Sequence, residues 1–116
     1  MLMLNVSGKT TVARLYAQFL ASVDLLPGNA FVETTGSLLA SDGIPGAQKH
    51  IKHILESGGG AMFVDEAYQL VSPKYGGGHA VLDFLLAEME NNVGKLIFIV
   101  AGYKKEMEDF FEHNPG

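Results

Sequence analysis

The chain has no cysteine, so it can form neither a disulfide nor a thiolate metal site. That absence fits a reducing compartment. Arginine is nearly missing: Arg14 is the only one. No apolar run approaches the roughly 18 residues that a membrane-spanning helix needs. The first residues lack a basic stretch ahead of an apolar one, so no signal peptide is expected. The net charge is −5 and the acids are spread along the chain, which gives no basic face for a nucleic acid. These absences together predict a cytoplasmic protein that engages neither membrane nor nucleic acid.

What is present suits one domain. The chain has 116 residues, and 47% of them are hydrophobic, enough for a packed core. Residues 1–4 form a short apolar stub that reads as the end of a strand. From Thr10, the apolar residues Val12, Leu15, Tyr16, Phe19, Leu20 and Val23 recur at helical spacing and predict one buried face. Pro27 and Gly28 then punctuate a turn. Residues 31–34, "FVET", read as a short strand, and "TGSLLASDGIPG" reads as a polar, glycine-bearing loop. Ala47, Ile51, Ile54 and Leu55 share a helical face that ends at Gly58, Gly59 and Gly60.

"AMFV", residues 61–64, is a continuous apolar strand, followed by a loop with Pro73 and glycines 76–78. Leu82, Leu85, Leu86 and Met89 mark the next helix. "KLIFIVAG", residues 95–102, is the clearest strand, with apolar residues unbroken by any alternation. Such a strand is buried on both faces. Met107, Phe110 and Phe111 mark a final helix, and core packing is expected for one of the two phenylalanines. The alternation of strand and helix implies a parallel sheet with helices on both faces, an α/β three-layer core.

In open parallel sheets, ligands bind beyond the carboxyl ends of the strands. Two stretches fall there. The first is "SGKTT", residues 7–11. It resembles the end of the phosphate-binding pattern G-x-x-x-x-G-K-[ST], and it directly precedes the first helix. Backbone N–H groups of such a loop and the positive end of the helix dipole face phosphate oxygens. Ser7, Gly8, Lys9, Thr10 and Thr11 would hold the nucleotide. Lys9 would reach the β- and γ-phosphates, and the Thr10 hydroxyl would reach Mg²⁺. The pattern's first glycine should stand at position 3, where the chain has Met3.

The second stretch is "AMFVDEAY", an apolar strand running into two acids. In a Walker B arrangement Asp65 would hold Mg²⁺ and Glu66 would polarise a water for attack on the γ-phosphate. The other reading is that the two acids cap the next helix. A Glu beside the metal-binding Asp favours hydrolysis over transfer to a small-molecule acceptor. Lys9 and Glu66 are thus the catalytic candidates, Thr10 and Asp65 the metal candidates, and ATP with Mg²⁺ the expected ligands.

The runs "GKTTVARLYAQFL", "GGGAMFVDEAYQL", "VLDFLLAEME", "IFIVAGYKKEME" and "FFEHNPG" closely resemble the AAA+ ATPases. Within them the chain is similar to the rubisco-activase-like and stage V sporulation protein K-like branch. The resemblance implies a P-loop NTPase core with a parallel sheet of order 5-1-4-3-2. It further implies assembly with other AAA+ subunits in rings and ATP-driven remodelling of a protein client that the sequence does not name. Gly102 and Tyr103 stand where typical members carry the sensor-1 polar residue. There Tyr103 would orient water or nucleotide, or else pack beside the following helix.

Set against the family, the chain reads as a partial core without the C-terminal helical lid. It has no assignable arginine finger, since the role of Arg14 does not follow from its position. The segment 38–46, where the family's pore loop falls, carries no aromatic. These departures leave a second expectation open: a non-hydrolysing nucleotide-binding or protein-interaction remnant. His50 and His53 lie three apart on a helix, but no further ligand is spaced to complete a metal site.

Overall fold

The computed structural model describes residues 2–4 and 8–113, the first three and the last by backbone alone. Four strands form one parallel sheet in the order β1-β4-β3-β2. They are β1 (Leu2–Leu4), β2 (Ala30–Thr35), β3 (Gly60–Asp65) and β4 (Leu96–Ala101). This matches the 1-4-3-2 portion of the order implied by the resemblance. The apolar runs lie where the parallel-sheet argument requires them: β3 is fully buried from Gly60 to Val64, and β4 is nearly so.

The helices are α1 (Lys9–Ser22), α2 (Gly36–Glu56), α3 (Gly78–Asn91) and α4 (Lys104–His113), with a short 3₁₀ helix over Ala67–Val71. Two core clusters lie on the two faces of the sheet, which makes the molecule three-layered. The larger gathers side chains of α2, the 3₁₀ helix, α3 and α4 around Met62, Val64, Phe98 and Val100. The smaller sets Ala13 and Ala17 of α1 on Ala61, Phe63, Ile99 and Ala101. Phe110 belongs to the larger cluster, whereas Phe111 is exposed.

Three sequence expectations change. The segment expected to be a loop after "FVET" is helical. Thr35 caps α2, its Oγ1 accepting from the Leu38 N–H at 3.1 Å, and Leu39 and Ala40 are buried. Helical geometry breaks only at Gly43 (φ 71°, ψ −170°). Pro45 follows at once, in the first turn of the resumed helix, where a proline's missing N–H costs no bond. The second change is on α1. The residues expected to face the core point outward: Val12, Leu15, Tyr16, Phe19 and Val23 are exposed, and only Ala13 and Ala17 are buried. The third is that the chain beyond Glu66, read as a loop, forms the 3₁₀ helix.

Candidate functional site

The sheet's carboxyl edge brings the two predicted stretches together. Gly8, at φ 71°, is the N-cap of α1 and has no side chain to satisfy the helix's first N–H groups. Those donors have no partner within the helix. Lys9 and Thr10 are half-buried, and Thr11 is exposed. The Lys9 ammonium reaches across to β3, where Nζ lies 3.2 Å from Asp65 Oδ1. The same oxygen accepts the Glu66 N–H at 2.8 Å. Ser7 lies outside the described residues.

Asp65 ends β3 and is in register with Thr35 at the end of β2. Glu66 follows in the left-handed region (φ 50°, ψ 45°), unusual for a residue with a Cβ, and its side chain caps nothing. The helix-capping reading of the two acids therefore does not describe Glu66. Its carboxylate instead accepts from Gln69: Nε2 to Glu66 Oε2 is 3.2 Å. Gln69 Oε1 in turn accepts the Ser37 N–H at 2.8 Å, at the start of α2. Gly36 makes this junction possible. A Cβ there would stand 2.5 Å from the Glu66 carbonyl oxygen and 2.9 Å from the Gln69 Cβ.

Tyr103 follows β4 and is exposed, its ring 6.3 Å from that of Tyr68 in a tilted arrangement. Its carbonyl accepts the Met107 N–H at 2.9 Å and so helps start α4. Burial raises the pKa of the Tyr68 hydroxyl, and the negative charge of Glu66 adds to that. Arg14 lies with its guanidinium carbon 4.6 Å from the centre of the Phe31 ring, which stacks on Phe63. It thus fastens α1 to β2. Among the described residues there is no cluster of three or more His, Cys, Asp or Glu side chains that could hold a metal ion. No described helix is long and apolar enough to cross a membrane.

The structure thus joins Lys9, Asp65 and Glu66 and places Tyr103 beside Tyr68. The sequence reading missed Gln69 and Ser37. The available signal was a Gln three residues after Glu66. A turn that the Gln69 N–H closes on the Glu66 carbonyl, at 3.0 Å, brings the two side chains together.

Known proteins are similar to this chain in sequence across nearly its whole length. It is 40% identical over 115 residues to the protein CbxX, chromosomal, of Cupriavidus necator, an alignment covering 95% of this chain and 36% of that protein. It is 39% identical to the protein CfxQ of Xanthobacter flavus over the same shares, 95% and 36%. It is 38% identical to the ESX-1 secretion system protein EccA1 of Mycobacterium tuberculosis, covering 95% of this chain and 20% of that protein. The chain therefore spans about a third or a fifth of the length of these relatives. Residues 5–112 match the ATPase family associated with various cellular activities (AAA), and with this sheet order and these relatives the chain belongs to that family.

Proposed function

We propose that this chain binds ATP with Mg²⁺ and hydrolyses it as part of a AAA+ protein-remodelling ATPase. One observation carries the reading: Lys9 at the start of α1 meets Asp65 at the end of β3, with Glu66 next in the chain. The Lys9 ammonium rests on the Asp65 carboxylate. A γ-phosphate entering at the α1 terminus offers Lys9 a stronger, charge-assisted partner and frees Asp65. Gly8, Lys9, Thr10 and Thr11 present backbone N–H groups to the phosphates, with Ser7 ahead of them.

The Thr10 hydroxyl and the Asp65 carboxylate are hard oxygen donors of the kind Mg²⁺ takes, so the residues fit the ion. When bound, Mg²⁺ neutralises charge on the phosphate oxygens. Glu66 accepts a proton from the attacking water as its oxygen bonds to the γ-phosphorus and the bond to the bridging oxygen breaks, leaving ADP. Tyr103 would orient the nucleotide or water from the end of β4. Pairing with further AAA+ subunits in the cytoplasm completes this reading.

One observation favours a second reading, a non-hydrolysing nucleotide-binding or protein-interaction module. Met3 occupies the position of the pattern's first glycine, and it lies within β1, paired with Val100. A strand residue that carries a Cβ thus stands where the pattern has the glycine that lets the backbone approach a phosphate closely.

Titration with a fluorescent ATP analogue, with and without Mg²⁺, tests the first reading. Saturable binding should weaken about tenfold or more in Lys9→Ala, the size of one lost charge-assisted hydrogen bond. Glu66→Gln should bind normally and lose about 10²- to 10⁴-fold in phosphate release. Binding without turnover selects the second reading in its nucleotide-binding form. No saturation at millimolar nucleotide overturns both nucleotide-dependent versions.

A further inference from the structure

We propose that Gln69 is a positioning residue for Glu66, tying the orientation of its carboxylate to the first turn of α2. The inference rests on the reading of Glu66 as the catalytic base. The Gln69 carboxamide is engaged at both ends. Its Oε1 accepts from the Ser37 N–H at 2.8 Å, and its Nε2 donates to Glu66 Oε2 at 3.2 Å. Neither end is interchangeable. A backbone N–H can only donate and a carboxylate can only accept, so the amide is fixed the right way round by its partners.

The Ser37 N–H belongs to the first turn of α2, where helix geometry supplies no acceptor. Gln69 is therefore the partner this donor needs, as well as the clamp on Glu66. The backbone reinforces the arrangement. The Gln69 N–H donates to the Glu66 carbonyl at 3.0 Å, closing the turn on the left-handed Glu66. Gly36 lets the end of β2 press against that turn, since its missing Cβ would meet the Glu66 carbonyl and the Gln69 Cβ. Holding Oε2 leaves the other carboxylate oxygen for the water proton. A shift of the α2 start pulls on Oε1 of Gln69, and the carboxylate loses its guide.

Two variants separate the ends of the relay. Gln69→Glu keeps an oxygen for the Ser37 N–H and removes the donor to Glu66. Gln69→Met removes both bonds at similar length. Both should lower kcat for ATP hydrolysis by about tenfold to a hundredfold, the scale of a misplaced reacting group. The affinity for the fluorescent ATP analogue should stay within about twofold, because neither bond touches the phosphate-binding residues. Exchange of the Ser37 amide proton, followed by NMR, should quicken in Gln69→Met and hold in Gln69→Glu. It should also quicken in Glu66→Ala, where the carboxamide loses its far anchor. Unchanged kcat in Gln69→Glu, or Ser37 exchange indifferent to Glu66→Ala, overturns the proposal. If the unaltered chain shows no turnover, the hydrolytic reading fails by itself, and the Ser37 response to Glu66→Ala decides the coupling.

Discussion

Gly36 stands where three parts of the site converge, between the end of β2, the Glu66 carbonyl and Gln69. Any side chain there begins 2.5 Å from a backbone oxygen, which cannot swing aside as a flexible side-chain tip can. Gly36→Ala must therefore shift either the α2 start or the turn after Asp65. Strain of this kind costs about 1–3 kcal/mol. At about 4–8 °C per kcal/mol for a domain near this size, a thermal melt should show a clear drop in Tm. The same melt on Gly76→Ala, where a Cβ meets nothing within 4 Å, should move far less. Equal shifts in the two would count against the close approach as the cause. At this scale the meeting of the two motifs was legible, because "GKTT" opens a helix and "DE" ends a strand at the same edge of a parallel sheet, and the fold sets Lys9 3.2 Å from Asp65. Gln69 was illegible. Its role depends on a 3₁₀ turn and on a helix start more than thirty residues away, at Ser37.

At the scale of single elements, α1 shows what periodicity can and cannot reveal. The spacing of Val12, Leu15, Tyr16, Phe19 and Val23 does mark one face of a helix, but it does not say which face meets the sheet. Ala13 and Ala17 take that place, and their short side chains let the helix lie close over Ala61, Phe63, Ile99 and Ala101. The large residues on one face of α1 drew attention away from the small ones on the next. Substitution should reveal the true inner face. Ala17→Leu forces extra methylenes into a packed contact and should cost about 1–3 kcal/mol in a urea melt. Leu15→Ala and Phe19→Ala, at 59% and 57% exposure, should stay within about 0.5 kcal/mol of the unaltered chain. The opposite ranking would restore the face expected from the spacing. The missed first half of α2 has a similar origin. Its polar and glycine-bearing composition reads as loop, but the Thr35 cap and the buried Leu39 and Ala40 outweigh weak local propensity. The strands were the most legible elements, because an unbroken apolar run between glycines has few other uses in a parallel sheet.

At the scale of the whole molecule, the two faces of the sheet are unequally held. One face carries α2, α3, α4 and the 3₁₀ helix over a core that includes Leu39, Ile54, Leu70, Leu85 and Met107. The other is covered, among the described helices, by α1 alone, whose buried side chains are Ala13 and Ala17, with the Arg14–Phe31 contact and the Lys9–Asp65 ion pair beside them. Apolar burial stabilises at roughly 25 cal/mol per Å², so a helix whose buried side chains are two alanines gains little from apolar packing. The central strands β3 and β4 gain from both layers and from neighbours on either side. Opening of α1 should therefore cost much less than opening of the sheet. Native-state hydrogen exchange in low urea tests this directly. Amides in the middle of α1 should exchange through a local opening with little urea dependence, while those of β3 and β4 should follow global unfolding. If the α1 amides instead merge with the β3 isotherm, the two layers unfold as one unit. The site would feel the difference, because Lys9 rides on α1 and Asp65 on β3. A nucleotide bridging the two should raise α1 protection selectively, since a ligand that binds only the closed form stabilises the element it must order. Protection gained equally by β3, β4 and α1 would place the binding energy elsewhere than on the contact between α1 and the end of β3.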